Sequence, residues 1–539
     1  MPSIFSGSGI GFIDPHEQFF RIENPTKRTS YPTSSYLWSI VEDKEEIHGL
    51  EDQFAPFMQE VFGINNETFF RGFYSGTLFR FPLRTDNMVS DLCDTKYSAQ
   101  KVRELFEFLE MDAHIMLLFL KSLESIEVYE KSSAGITPSN LMTIKISSDT
   151  QIIVRSKRQQ LMYQIEERRA TKELTIPAIT ESASVTYAMT TELNKPNSKP
   201  NTRQWLISQY FGGYDEIKAI SCICNNLGLL PWVGVALPVD SNTLYGEPCG
   251  QIFCFLPLPL EPVSPTGLRI HVHGYFAVDS NRRHIKWKTA DQSWDRVTDE
   301  NLIWNYFLVS VLLPKAMINL ALFLAMTDNQ IENINPEIVY GIIPDIQKIN
   351  EIGIPLALAF LKELPKLSIF YCSVGGGKYL QIQNALFVNI EDISKLSKLI
   401  RDILIQSKTN LVSVPAYVFT QLGSCAQQIN ASLVCSSLKN VQQQLILSDD
   451  DRLFLLKYFL EKLSGNFSEL VGTKLLPLAD GSWIEFQKSN QLQKVYIDSG
   501  DHPRTLLPGL EACFLKLEVQ EACKTIAKQS KQSYWIILF

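Results

Sequence analysis

The sequence lacks the features that would mark a nucleic-acid-binding protein or a zinc protein. Its 539 residues hold 50 Lys and Arg against 58 Asp and Glu, a formal net charge of −8. A chain with this charge balance has no strongly positive electrostatic potential over its surface, so nucleic acid is not an expected partner. The ten cysteines include no recurring Cys-x-x-Cys pair. This argues against a zinc ribbon and predicts reduced core thiols in a cytoplasmic protein.

Two short spacings come closest to a metal site. Cys222 and Cys224 leave a zinc site as a weak alternative. His271 and His273 would share one side of a strand, because side chains two positions apart point the same way. Neither pair has an obvious further ligand, so we expect no metal. Spacing also shows no nucleophile triad and no paired acid and base carboxylates, so no catalytic residue is predicted.

A long uninterrupted apolar run is missing as well. The most apolar region, residues 301–326, contains Pro314 and Lys315 near its middle. Each half is shorter than the roughly 20 residues that a membrane-spanning helix needs. We therefore predict a pair of buried helices there, no membrane association and a cytoplasmic location. The first ten residues, MPSIFSGSGI, show no signal-peptide pattern.

Hydrophobic periodicity predicts a mixture of helices and strands in three regions. Helical spacing appears at 98–120, 392–406 and 451–463, and strand patterns appear at 76–84, 126–131, 141–147, 175–193, 250–260, 268–278 and 368–374. The polar Pro/Asn/Ser stretch 194–203 is the best linker candidate. The predicted domains are therefore 1–193, 204–330 and 331–539, in an α+β fold.

The glycine-rich stretch VGGGKYLQ, residues 374–381, resembles a phosphate-binding loop only superficially. Cys372 stands where that loop needs its first Gly, and Tyr379 stands where it needs Ser or Thr. The pattern instead predicts a glycine turn between two strands.

Arg282 and Arg283 follow a predicted strand and are candidates for contacting an anion. Guanidinium groups bind phosphate and carboxylate oxygens through two parallel hydrogen bonds. A polar turn with solvated arginines explains the same residues and is favoured by the sequence.

The stretch FYSGTLFRFPLRT, residues 73–85, alternates like a half-buried strand but begins near Gly76 and Thr77. A glycine lets the backbone approach a ligand closely, and a threonine offers a hydroxyl beside it. By chemistry alone, a turn glycine and a strand threonine are the favoured explanation of the pair. Alternation would place Phe79, Phe81 and Leu83 on one face. We expect this face to pack against Leu105, Phe106 and Leu109 of the predicted helix 98–120.

Several strings, in order, resemble the repeat modules of the sacsin family. They are PSIFSGSGIGFIDPH (2–16), LEDQFAPF (50–57), GTLFRFPLR (76–84), LLFLKSLESIEVYE (117–130), GQIFCFLPLPL (250–260), LRIHVHGYFAVDSNRRHIKW (268–287), LLPLADGSW (475–483) and LLPGLE (506–511). IGFIDPH and GTLFRFPLR are highly specific, and the strings after them are moderately so. The resemblance spans nearly the whole chain.

The resemblance implies a first domain similar to the nucleotide-binding domain of heat-shock protein 90, an α/β sandwich of the Bergerat or GHKL type. Gly76 and Thr77 would then be the remnant of a nucleotide pocket. The family's Glu/Asn helix, its Asp-x-Gly-x-Gly loop and its second glycine box precede the matched strings, so the implied domain is truncated. ATP and Mg²⁺ are expected cofactors only if those motifs are supplied.

The resemblance further implies a chaperone or cochaperone module that binds protein clients, with the heat-shock protein 70 system as a second partner. Two alternatives stay open. One is a GHKL-type ATPase whose upstream motifs are missing from this gene prediction, and the other is a scaffold segment of a larger protein.

The incomplete motifs predict how the chain responds to ATP. Phosphate binding needs convergent backbone donors and usually a metal ligand, and of these motifs only Gly76 and Thr77 are present. We expect no ATP hydrolysis and at most weak nucleotide binding. Titration calorimetry with Mg-ATP checks this, and saturable micromolar binding would contradict it.

Overall fold

The computed structural model describes most of the chain from residue 98 onward and four strands before it. The described residues are 10–13, 18–22, 35–39, 78–80, 98–131, 137–170, 182–239, 248–259, 265–326, 335–463, 466–487, 495–496 and 509–521. The chain divides into two compact units. Unit 1 comprises Met1–Gln151 with Thr190–Arg203, and unit 2 comprises Ile152–Met189 with Gln204–Phe539.

Unit 1 begins with a four-stranded antiparallel sheet in the order β3-β2-β1-β4. Its strands are β1 (Ile10–Ile13), β2 (Gln18–Ile22), β3 (Ser35–Ser39) and β4 (Leu78–Arg80). Phe12 lies opposite Phe79 in the β1–β4 pair. The sheet thus places the two most specific strings of the sequence, IGFIDPH and GTLFRFPLR, on neighbouring strands, and the predicted strand at 76–84 is confirmed over Leu78–Arg80.

The predicted helix 98–120 is correct in its first half and wrong in its second. Helix α1 spans Ala99–Met111, and residues 112–120 form turns instead. Leu117, Leu118 and Phe119 are buried in succession. This succession departs from the spacing of three or four residues that places apolar side chains on one face of an amphipathic helix.

The remaining strands of unit 1 form antiparallel neighbours. Strand β5 (Ser125–Glu130) pairs with β6 (Ser139–Ile146), as predicted. Strand β6 pairs in turn with the last residues of β7 (Ala183–Asn194). The stretch 194–203 contains the end of β7, a turn, and the start of β8 (Asn201–Phe211). The predicted domain bounds at 193, 204, 330 and 331 remain a prediction.

Unit 2 contains a mixed sheet with the strand order β11-β10-β12-β9-β8. Its further strands are β9 (Trp232–Pro238), β10 (Ile252–Cys254), β11 (Leu256–Pro257) and β12 (His271–Gly274). Strands β10 and β12 are neighbours, as predicted, and run parallel, whereas β9 is antiparallel to both β8 and β12. All seven residues of β9 are buried, which fits a central strand covered on both faces. Helices α2 (Ser148–Ala170), α3 (Tyr214–Ile217) and α4 (Ser221–Leu227) flank these strands in sequence.

One continuous helix, α5, occupies the apolar region where a helix pair was predicted. It spans Glu300–Met326 and packs against β9. Its middle, Leu308–Leu312, is a π turn directly before Pro314. The wider turn accommodates a proline ring that would clash in a regular helix, so the helix continues. Among the described residues α5 alone has the length and composition to span a membrane, but 61% of its most apolar window is buried, as in a core helix.

The rest of unit 2 alternates short strands with helices. Its elements are α6 (Gly353–Glu363), β13 (Phe370–Cys372), β14 (Lys378–Leu380), β15 (Leu386–Asn389), α7 (Lys395–Gln406), β16 (Leu411–Val414), α8 (Ala416–Leu422), α9 (Ala431–Val441), α10 (Asp449–Lys462), β17 (Leu476–Pro477) and β18 (Trp483–Ile484). Short 3₁₀ segments lie at Lys218–Ile220, Trp294–Arg296, Pro336–Ile342, Leu364–Lys366, Ile382–Asn384, Gly423–Cys425, Phe467–Leu470 and Glu511–Cys513. Helices α7, α9 and α10 share one apolar core with neighbouring segments.

Several local predictions in this part are confirmed. Helices α7 and α10 match the predicted helices, and α10 begins with a reciprocal cap between Ser448 and Asp451. The glycine turn joins the antiparallel strands β13 and β14, and Gly375, Gly376 and Gly377 all have positive φ. Only glycine adopts such a run without strain.

The described helices and the mixed sheet confirm the α+β class. The finer expectation of a Bergerat-type domain remains a prediction.

Candidate functional site

Helix α1 presents large apolar side chains to solvent. Leu105, Phe106, Phe108 and Met111 expose 52%, 38%, 62% and 68% of their surfaces. None of the residues of α1 is buried. We call these four side chains the α1 surface. The predicted packing of Leu105, Phe106 and Leu109 against Phe79 and Phe81 involves side chains that the structure does not describe and remains a prediction.

Two ion pairs connect α1 to other segments of unit 1. Arg103 pairs with Glu130 at the end of β5, and Glu110 pairs with Lys195 in the turn after β7. Arg103 and Glu110 lie two helical turns apart and so share a face. At about 100° per residue, Leu105 and Phe108 lie on the far side of the helix from this pair, whereas Phe106 lies within about 60° of both. The ion pairs therefore leave Leu105 and Phe108 facing away from them.

The sequence around α1 explains its two ends. The Ser98 side chain accepts the N–H of Lys101 at 3.2 Å and caps the first turn. After Met111 the chain turns inward and buries Leu117 and Phe119. These residues supply the local core, so the apolar side chains of the helix are not needed for it.

The charges of α1 run against the helix dipole. Lys101 and Arg103 lie in its first half, whereas Glu110 is in its last turn, the end that favours cations. Lys195 offsets this arrangement by pairing with Glu110. Burial raises the pKa of Asp112, which follows directly after the helix.

The predicted nucleotide-pocket residues, Gly76 and Thr77, lie outside the described residues, as does Phe81. Their role remains a prediction, as does the packing of Phe81.

Arg282 and Arg283 lie at the exposed tip of a tight turn in unit 2. The Asp279 carboxylate accepts the backbone N–H groups of Arg283 and His284 at 2.8 and 3.4 Å. The hydrogen bond from the Arg283 N–H is the main reason that the pKa of Asp279 is lowered. Arg282 has a φ of 55°, which is typical of such turns. The geometry fits a polar turn, and the anion-contact role remains a prediction.

The histidine and cysteine candidates are not brought into a metal cluster. Within the described ranges, no group of three or more His, Cys, Asp and Glu side chains could hold a metal ion. His271 accepts the N–H of Gln251 at 3.1 Å through its Nδ1. Cys224 is buried and Cys222 is exposed, so the core-thiol prediction is correct for only one of this pair.

Sequence reasoning detected the apolar pattern of α1 but assigned it to packing against the strand at 76–84. One signal in the sequence could have distinguished an exposed helix from a packed one. It is the apolar run AHIMLLFL, residues 113–120, directly after the helix. A run so apolar supplies its own buried residues and lets the preceding amphipathic helix remain uncovered.

Comparison with known proteins gives two matches. Residues 1–143, which include all of α1, match the family described as Sacsin domain. The chain is also 29% identical to Sacsin from Homo sapiens over 554 aligned residues. That alignment covers 99% of this chain but only 12% of the human protein. The chain is therefore a sacsin-like protein that corresponds to a small part of the length of its human relative.

Proposed function

We propose that this sacsin-like chain is a chaperone or cochaperone module that binds exposed apolar segments of protein clients at the α1 surface. The observation that carries the proposal is the exposure of Leu105, Phe106, Phe108 and Met111 on a single helix. Contiguous exposed apolar side chains are typical of surfaces that bind other polypeptides.

The chemistry of the α1 surface suits an unfolded client. Two phenylalanines, a leucine and a methionine offer apolar contact without a fixed hydrogen-bond pattern, and the unbranched Met111 adapts to differently shaped partners. Such a surface selects for hydrophobicity and not for one sequence. The ion pairs of Arg103 and Glu110 hold α1 against Glu130 and Lys195 while Leu105 and Phe108 point away from them.

Suppression of aggregation tests the proposal. The double change Phe108→Glu with Met111→Glu places two charges on the α1 surface, and we expect it to weaken client binding by roughly tenfold or more, since each buried apolar side chain contributes about 1.5–3 kcal/mol. Light scattering of a heat-denatured test protein, with and without the chain, measures the effect.

The matched control is Ile446→Glu. Ile446 is a fully exposed apolar side chain outside α1. This change should leave both suppression and melting temperature unaltered, and the double variant should keep the wild-type melting temperature because neither of its residues is buried. Equal suppression by wild type and the folded double variant would contradict the proposal.

The finer parts of the function are proposals as well. We infer that the chain binds clients without hydrolysing ATP, because the sequence contains no Asp-x-Gly-x-Gly loop. The heat-shock protein 70 system is proposed as a partner and the cytoplasm as the location, both from the family resemblance.

A further inference from the structure

Unit 2 contains a pocket of about 590 Å³ that is separate from the α1 surface. Arg269 reaches it from the segment before β12, and Tyr417 reaches it from α8. Its volume is within the range of about 300–1,000 Å³ that is usual for small-molecule sites. We call it the Arg269 pocket.

Arg269 is a buried cation whose donors are unused. It exposes 7% of its surface, and its guanidinium lies 4.4 Å from the centre of the Tyr417 ring. Its Nε is buried without a hydrogen-bond partner, and within the described part of the chain no carboxylate lies within 4.0 Å of the guanidinium. A buried charge without an ion-pair partner is costly, because the attraction of the Tyr417 ring offsets only part of the lost hydration.

Tyr417 holds the guanidinium in place and leaves its donors unused. The Tyr417 hydroxyl donates a hydrogen bond to the backbone oxygen of Tyr340 at 2.6 Å, which fixes the ring. A cation over an aromatic face is stabilised electrostatically, but that contact satisfies none of its N–H groups. The stacked Arg269 is thus pre-organised for a ligand in its own plane.

The acidic side chains of the pocket have other partners. Asp345 accepts the N–H of Gln347 at 3.2 Å, and Glu391 accepts the N–H of Ala416 at 3.2 Å. Lys348 also lines the pocket and adds a second positive charge. Two cations therefore face two carboxylates that are already hydrogen-bonded.

Gln421 adds an acceptor to the same pocket. Its Oε1 is buried and has no hydrogen-bond partner. The pocket thus holds the Gln421 oxygen as an acceptor and the Arg269 guanidinium as a charged donor. A ligand with both an anionic oxygen and a donor group would satisfy both.

We propose that the Arg269 pocket binds a small anionic ligand whose carboxylate or phosphate oxygens accept hydrogen bonds from the Arg269 guanidinium, while an N–H or O–H group of the ligand donates to Gln421. This site is independent of client binding at the α1 surface.

Ligand-dependent melting and calorimetry test the inference at constant ionic strength. The probes are inorganic phosphate, N-acetylglycine, which carries a carboxylate and an amide N–H, and uncharged N-acetylglycinamide. We expect at least one of the two anions to raise the melting temperature and to bind saturably, and the uncharged amide to do neither. Phosphate alone identifies a phosphate site, N-acetylglycine alone a carboxylate site, and both an anion site of either kind.

Arg269→Met removes the charge and keeps much of the volume. We expect it to weaken anion binding by at least about tenfold, the loss of one or two charge-assisted hydrogen bonds. Without anion, the variant should melt at or above the wild-type temperature, because an unpaired buried charge has been removed. Arg296→Met, at an exposed residue of the 3₁₀ segment Trp294–Arg296 and outside the pocket lining, is the matched control and should change neither quantity.

Arg269→Lys provides a second variant that keeps the charge but loses the planar fork, and it should also weaken binding. Equal anion-induced stabilisation of wild type and Arg269→Met would overturn the proposal, as would wild-type binding by Arg269→Lys or the absence of binding by either anion to the wild-type chain.

Discussion

Gly267→Ala is expected to lower the free energy of unfolding by about 3–5 kcal/mol, one of the largest effects of any single substitution in this chain. Gly267 has a φ of 69°, and a Cβ there would lie 2.1 Å from the backbone oxygen of Lys348. The new methyl group must push a backbone segment aside, and that segment contributes Lys348 to the Arg269 pocket.

Gly228→Ala separates the two causes of this cost. Gly228 has a similar φ of 62°, but a Cβ there would meet nothing within 4 Å. It should cost only about 1–2 kcal/mol, the usual strain of a left-handed alanine. Urea denaturation of both variants measures the difference, which reports the crowding at Gly267. Equal losses in the two variants would mean that the backbone at Lys348 gives way freely.

Asn305→Ala should also lower the free energy of unfolding by about 3–5 kcal/mol. Asn305 is fully buried on α5. Its Nδ2 donates to the backbone oxygens of Ala277 and Lys286 at 2.7 and 2.8 Å, and its Oδ1 accepts the N–H of Ala277 at 2.8 Å. Truncation leaves the N–H of Ala277 and the backbone oxygen of Lys286 without partners, each costing about 1–3 kcal/mol. The backbone oxygen of Ala277 keeps the N–H of Lys286 at 2.9 Å.

Asn301→Ala is the control for Asn305→Ala. Asn301 lies on the same helix, and its side chain donates to the carboxylate of Asp299 in the exposed first turn. Its loss should cost about 1 kcal/mol or less. Because Asn305 attaches the segment 277–286 to α5, trypsin should cut at Arg282 and Arg283 sooner in Asn305→Ala. A urea midpoint equal to that of Asn301→Ala would show that water replaces the lost amide.

Local features of the fold were predictable because each depends on neighbouring residues. The strand at Leu78–Arg80, the pair β5 and β6, and helices α7 and α10 follow from hydrophobic periodicity. The glycine turn between β13 and β14 follows from residues that alone tolerate positive φ. Sequence also carried the sacsin-like resemblance, which the match over 99% of the chain supports.

The proposed sites were not predictable in the same way. The pattern of α1 shows an amphipathic helix but not which face contacts the protein, and the partners Glu130 and Lys195 are distant in sequence from Arg103 and Glu110. Arg269 belongs to a strand-like string in which nothing marks it as buried and unpaired. Tyr417 reaches it only through the tertiary fold.

The continuous helix α5 also shows the difference between what local sequence predicts and what tertiary packing decides. Proline predicts a break from its missing N–H and its ring, and both effects are local. The π turn at Leu308–Leu312 makes room for that ring, and the buried contacts of Trp304, Met317 and Leu320 keep the helix intact. Sequence by itself determined the family resemblance, the α+β class and most short elements, because local pattern is written in consecutive residues. Tertiary structure decided which faces are buried and which charges lack partners, because burial depends on residues that are far apart in the chain.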